Sequence, residues 1–297
     1  MKKTGRLALF LAAFLWGASF VAMKSVLTSF NTLYILAIRF CGAALILLPA
    51  CAGKLKKADK SYLLGGALMG VALLLAYLFQ TYGLDKTTPG KNAFLTSVYC
   101  VIVPFLYWAY IKKKPDKSNA VAAVICVAGV GLISLDGNLS IGAGDALTIV
   151  CGFFFAVHIV ITTSYVDKRD PLLLAMLQFA TSGALALIGA VVFEQPPSGA
   201  TSSDIWTLAF LTVVSTAACL LMQVFGQKYT PPSQAAVIMT LESVFGALFS
   251  VILYHEQMTL RLAAGFALTF LAVIISETKL AFLRKKAIPS PSDPDRL

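Results

Sequence analysis

A handful of ionisable and polar residues in this chain are set deep inside long apolar stretches, where their chemistry is costly to keep and therefore informative. Glu242 is the clearest, at the middle of Thr240-Leu241-Glu242-Ser243-Val244-Phe245-Gly246. A carboxyl group there can accept a proton or counter an ammonium group; it can also hydrogen-bond a neighbouring helix and fix packing. Tyr99 sits near the centre of another stretch, with Thr96 one turn earlier on the same helical face. Gln80 and Gln223 lie near the ends of two more, and Tyr77 shares the face of Gln80. These amides are polar lining, a gate, or ties between helices. His158 titrates near neutral pH, as a proton relay requires, although a lone histidine is also a packing residue. Trp16, Phe154 and Met239 supply apolar wall. Arg39 is expected to pair with a carboxylate or cap a helix end, and Lys24 to stretch its charge toward water.

Other chemistry is missing. The central polar set has no clustered His, Cys, Asp or Glu at metal-ligand spacing and no Ser/His pair, so no metal, cofactor or catalytic residue is expected. No GxxxxGK[ST] phosphate loop occurs either. The six cysteines, Cys41, Cys51, Cys100, Cys126, Cys151 and Cys219, read as small apolar packing residues. An intramembrane enzyme and a structural or regulatory membrane protein remain weaker readings than one that binds a small solute.

The elements that must hold these residues are long and apolar. Of 297 residues 58% are hydrophobic and 13% charged, where a soluble domain carries about 25% charge. Ten stretches, near 7–26, 32–52, 62–82, 90–110, 118–135, 144–164, 172–193, 204–225, 233–254 and 260–281, each suit a bilayer-crossing helix. With the N-terminus inside, strict alternation puts Lys54, Lys56, Lys57 and Lys60 in the cytoplasm, and likewise Lys112, Lys113, Lys114 and Lys117. The outer loops hold Lys86, Lys91 and Arg261. Positive charge gathers on the cytoplasmic side of membrane proteins. The net charge of +10 therefore reports topology rather than nucleic-acid binding. Met1-Lys2-Lys3 before an apolar run mimics a signal peptide, but its removal would reverse this charge balance.

The second five stretches resemble the first five. Shifted by 143 positions, Gln80 falls on Gln223, Gly83 on Gly226, Thr87 on Thr230, Pro89 on Pro232 and Tyr99 on Glu242. A smaller shift sets Ile38-Arg39-Phe40 on Leu177-Gln178-Phe179, and Trp16 near Phe154 or Phe155. Gly83 and Pro89 are expected between spans. An odd number of spans per repeat turns the second copy upside down, an arrangement that places a binding site at mid-membrane. The expected fold is thus an all-α integral membrane protein of ten helices in two inverted five-helix repeats around a central cavity. Residues 1–137 form the first repeat, 138–283 the second, and 284–297 a disordered cytoplasmic tail. Pro104 is expected to kink the fourth helix beside the cavity.

These features together resemble the drug/metabolite transporter superfamily, and within it the EamA-type ten-helix exporters. The likeness rests on Leu15-Trp16-Gly17-Ala18-Ser19-Phe20, on Ala37-Ile38-Arg39-Phe40, on Asn92-Ala93-Phe94-Leu95-Thr96-Ser97-Val98-Tyr99 leading to Val103-Pro104, and on Leu241-Glu242-Ser243-Val244 with Glu256 beyond. Ser243 stands where the family usually has proline, and Lys112-Lys113-Lys114 where an acidic residue often ends helix four. The resemblance implies a cavity lined by helices one, three, four, six, eight and nine, in a bacterial plasma membrane; the charge distribution predicts that both termini are cytoplasmic.

The expected function is secondary transport, as an exporter, of small metabolites such as neutral or aromatic amino acids. Trp16, Tyr77, Gln80, Thr96, Tyr99, Phe154, His158, Gln223, Met239 and Glu242 would bind the solute, and Glu242 and His158 would couple it to protons. The alternative is an uncoupled facilitator of drug-like or organic-cation solutes. A single chain carrying both repeats needs no second copy, so a monomer is expected.

Overall fold

The computed structural model describes residues 2–112, 114–115, 117–135 and 141–278, so the expected tail lies outside the described residues. In chain order the helices are α1 Lys2–Val26, α2 Thr32–Cys51, α3 Lys60–Asp85, α4 in two pieces (Pro89–Thr96 and Tyr99–Ile111), α5 Lys117–Ser134, α6 Ala143–Val166 and α7 Pro171–Phe193. Then come α8 in three consecutive segments (Ser202–Phe210, a π-helical Leu211–Ala218, and Cys219–Tyr229), α9 Pro232–Leu253 and α10 Leu260–Thr278. Among the described residues nine helices are long and apolar enough to cross a bilayer, and α10 carries a shorter apolar run, Leu260–Ile275. The chain is a ten-helix membrane protein, as its hydropathy predicts. Val124 and Val127 on α5 are each 72% exposed, a surface that only lipid covers without cost.

Local chemistry sets the helix starts. Pro89, Pro171 and Pro232 occupy the first turns of α4, α7 and α9, where a missing N–H is harmless. Asp59, Thr88 and Asp170 accept from first-turn N–H groups, and Thr201 forms a capping box with Asp204.

The bundle packs in repeat-related sets. α3 packs on α6 as α8 packs on α1; α4 packs on α6 as α9 packs on α1. Gly83 and Gly226 mark two of these crossings. A Cβ on Gly83 would stand 2.4 Å from Thr148 Oγ1 of α6, and one on Gly226 would stand 2.5 Å from Leu9 Cγ of α1. Both glycines lie inside helices rather than between spans, because bare backbone is what lets helices in lipid approach closely. α4 breaks at Ser97 and Val98, and Pro104 lies inside its second piece. At the break the ladder switches to i−3 bonds, Val98 N to Leu95 O (3.4 Å) and Cys100 N to Ser97 O (3.0 Å), and Ser97 Oγ donates to Phe94 O (2.7 Å).

Candidate functional site

A cavity lies among α1, α2, α3, α4, α6, α8 and α9, with about 550 Å³ of space between atoms. Repeat-related residues share its wall: Gln80 and Gln223 both line it, as do Tyr99 and Glu242, and Trp16 and Phe155.

The polar groups of the wall are individually held. Tyr99 and Glu242, both buried, lie close together in the wall. Gln80 Nε2 donates to Thr96 Oγ1 (3.2 Å). The Trp16 indole donates to the backbone oxygen of Ser215 (2.9 Å), which belongs to the π-helical segment of α8. That wider winding takes carbonyls out of the regular ladder and is a common local device at functional sites.

The same segment seats Arg39. Arg39 Nε donates to Thr216 Oγ1 (2.9 Å), and Thr216 in turn donates to Leu211 O, five residues back (2.7 Å). A second guanidinium nitrogen reaches Ser215 Oγ (3.4 Å), and the group lies 4.8 Å over the Tyr77 ring, whose own neighbour is Phe155 at 5.4 Å. Arg39 is 3% exposed and Glu242 7%. Among the described residues the ion pairs are Lys54–Asp170 and Lys91–Asp145, and neither Arg39 nor Glu242 joins one. The cavity therefore presents a buried guanidinium and a buried carboxyl group, neither paired with an opposite charge at contact distance.

Of the ten expected binding residues, Trp16, Tyr77, Gln80, Tyr99, Gln223, Met239 and Glu242 line the cavity. Thr96 stands behind Gln80 as its hydrogen-bond acceptor. Phe154 points elsewhere and stacks on Phe79 (5.5 Å), while its neighbour Phe155 takes the cavity position. His158 is fully buried away from the cavity, between α6 and α7, bonded to Gln178 Oε1 (2.9 Å). Arg39 was expected to find a carboxylate or a helix end, and finds hydroxyls instead. Its place in the cavity wall favours contact with a solute, the weaker of the readings its sequence position offered; the signal was an arginine in an apolar stretch whose repeat partner is the neutral Gln178.

The two ends of the bundle differ. At the face away from the N-terminus Lys24 Nζ donates to Leu84 O (2.7 Å), Asp85 O (2.8 Å) and Thr87 O (3.0 Å), tying α1 to the end of α3. Lys91 pairs with Asp145 at 2.6 Å, and Glu256 accepts from Thr88, from Gly90 N (3.0 Å) and from Ser250 (2.5 Å). At the basic face, which carries the start of α1, Lys54 pairs with Asp170 at 2.7 Å. The hydrogen bond to Asp170 raises the Lys54 ammonium above its ordinary pKa. Burial pushes Asp170 up, but the Lys54 bond and the Leu173 and Leu172 N–H groups outweigh it and leave Asp170 below the usual carboxylate range. Among the described residues no three His, Cys, Asp or Glu side chains converge as a metal site would require.

A lipid-embedded bundle with a polar cavity at its centre and separate closures at its two ends is the architecture of a membrane transporter. The chain belongs to the EamA-like transporter family, which matches residues 3–135 and again 142–278. It is 34% identical over 271 residues to an uncharacterized transporter of Archaeoglobus fulgidus, covering 91% of this chain and 84% of that one. A second uncharacterized transporter, from Synechocystis sp., is 21% identical over 88% of this chain and 86% of its own. A solved crystal structure shares the fold with a TM-score of 0.73 at 15% identity, covering 95% of this chain and 99% of the other.

Proposed function

We propose that the protein is a secondary transporter that exports small zwitterionic metabolites, such as neutral or aromatic amino acids, across a bacterial plasma membrane. The observation that carries this reading is the placement of a guanidinium and a carboxyl group in one cavity, Arg39 and Glu242, each without an oppositely charged partner among the described residues. Buried charge is costly unless paired. A solute bringing its own carboxylate and ammonium groups completes both. Trp16, Tyr77, Tyr99 and Phe155 give the apolar walls that an aromatic or aliphatic side chain fills. Sugar phosphates fit poorly, because Arg39 is the single basic side chain among the residues that line the cavity. The second reading, a facilitator of organic cations, draws on Glu242 among aromatic rings, and Arg39 in the same cavity weighs against it.

Transport proceeds by alternating access, the closures at the two faces opening in turn around the cavity. Glu242 is the acidic side chain of the cavity wall, so a proton and a solute ammonium compete for one carboxylate, which yields proton antiport. His158, bonded to Gln178 outside the cavity, serves packing in this scheme. The basic face, including Lys54, Lys112, Lys168 and Lys228, is cytoplasmic. One chain supplies both halves, and a monomer suffices.

Uptake of labelled L-phenylalanine into proteoliposomes, driven by an imposed pH gradient, tests the reading. Saturable flux that collapses in Glu242→Gln is expected. Undiminished pH-driven flux in that variant rejects proton antiport through Glu242, and transport of amines but of no amino acid favours the facilitator.

A further inference from the structure

The two glutamines of the central cavity have different surroundings. Gln80 Nε2 donates to Thr96 Oγ1 (3.2 Å), and Thr96 Oγ1 lies 3.5 Å from Cys151 Sγ. Asn92 Nδ2 donates to the backbone oxygen of Gln80 (3.1 Å) and to Thr148 Oγ1 (2.8 Å). The internal repeat removes each of these polar groups from the second half. A shift of 143 places Thr96 on Met239 and Asn92 on Ala235; the smaller shift of 139 places Cys151 on Ala12 and Thr148 on Leu9. Gln223 is therefore the counterpart of Gln80 without its polar neighbours. It is 3% exposed and lines the cavity, and among the described residues its side-chain amide has no hydrogen-bond partner. That amide is open to the cavity, whereas the Gln227 amide, one turn along the same helix, is sealed in protein. A buried amide left unanswered costs free energy, and the cavity is the space from which an answer can come.

Position along the helices decides what Gln223 meets. α8 seats Arg39 through Thr216, and Gln223 follows two turns later, about 10 Å nearer the basic face. On α9 Met239 lies one turn nearer that face than Glu242, and on α6 Ile159 lies one turn nearer than Phe155. The charged groups of the wall thus stand at one level. Ile159, Met239 and Gln223 form the end of the cavity toward the basic face, two apolar side chains beside one amide.

We propose that Gln223 sets the specificity of the central site by receiving the polar tip of the solute's side chain, so that amino acids whose long side chain ends in a hydroxyl or amide are preferred, tyrosine above phenylalanine. The inference rests on the reading of the central cavity given above. Arg39 and Glu242 take the carboxylate and ammonium groups, and the side chain runs from them toward the basic face. Phe155, Ile159 and Met239 flank its apolar length. The Gln223 amide offers both a donor and an acceptor, and either answers a hydroxyl. An apolar tip leaves that amide unanswered. A site built to hydrogen-bond a solute hydroxyl rejects the analogue lacking it far more strongly than an apolar pocket rejects a missing methylene.

Isothermal titration calorimetry on the full-length protein in detergent, with L-tyrosine and L-phenylalanine as probes, tests the proposal. The native protein is expected to bind tyrosine about tenfold tighter or more. Gln223→Leu is expected to bring the ratio of the two dissociation constants to about one. Met239→Thr keeps Gln223 and gives its amide the acceptor that Thr96 gives Gln80. It is expected to shrink the ratio as well, and it stands in should Gln223→Leu not fold. Equal affinities in the native protein overturn the proposal and spare the zwitterion reading. A native preference that persists in folded Gln223→Leu, or in Met239→Thr where that variant stands in, overturns it too. Binding of neither amino acid by the native protein removes the central reading and this inference together.

Discussion

Tyr99 and Glu242 occupy the same position in the two halves of the chain, and both line the central cavity. Residues related by a twofold axis can share one cavity wall only close to that axis. The pair therefore marks the centre of the bundle, on a wall that both halves build. Tyr99→Phe removes a buried hydroxyl beside the Glu242 carboxyl group. Reduced flux is expected; flux and melting temperature both matching the native protein would show that the hydroxyl contributes nothing.

Arg39 lies on the cavity wall opposite in character to Glu242. Arg39→Lys keeps the charge but gives up the fork that bridges Thr216, Ser215 and the Tyr77 ring. Thermal-shift titration is expected to show phenylalanine binding weakened in this variant by tenfold or more, about 1.4 kcal/mol. Phenethylamine, which lacks the carboxylate, is expected to bind both proteins alike. Equal weakening of both ligands would place Arg39 in packing only.

Lys24 fastens the face away from the N-terminus through three carbonyls at the end of α3. Lys24→Met removes all three bonds and leaves a side chain of similar length. The expected outcome is a shift toward the state open on that side. Thr81→Cys, a reporter on the cavity wall, is expected to react faster with an impermeant thiol reagent applied to right-side-out vesicles. An unchanged rate would mean that Lys91–Asp145 and the Glu256 bonds hold the closure without it.

The Lys54–Asp170 pair joins the end of α2 to the start of α7 on the basic face. Asp170 is held below its ordinary pKa, so the unfolded chain takes up a proton there more readily than the folded one. Its contribution to stability is present above about pH 4, the unfolded value, and is lost as pH falls through the lower folded value. The raised Lys54 acts in the opposite sense, losing its contribution as pH rises through its folded value. Both side chains are more than a third exposed, so the effect is small. Melting temperature between pH 3 and 5 is expected to fall more steeply for the native protein than for Asp170→Asn, and parallel curves would contradict this.

Gly83 packs where α3 crosses α6, and its repeat partner Gly226 where α8 crosses α1. Gly83→Leu forces those helices apart, with an overpacking cost of about 1–3 kcal/mol or more. Loss of folded protein after detergent extraction is expected, whereas Gly53→Leu, in open space, is expected to extract normally.

Much of this molecule was written in its sequence. Runs of apolar residues as long as a bilayer is thick determined ten helices, prolines and capping side chains determined where several begin, and matched glutamines, glycines and prolines exposed the repeat. Trp16, Gln80, Tyr99, Gln223 and Glu242 stood out because polar and large amphipathic groups are costly in mid-membrane. The tertiary structure alone decided which way each helix faces. Helices in lipid are apolar on every side, so hydrophobic periodicity does not separate the inner face from the outer. Each residue turns the direction by about 100°, and adjacent residues part company: Phe155 enters the cavity while Phe154 stacks on Phe79. His158 rotates toward α7 and Arg39 toward the cavity for the same reason, and the π-helical turn that receives Arg39 arises from packing that no local pattern encodes.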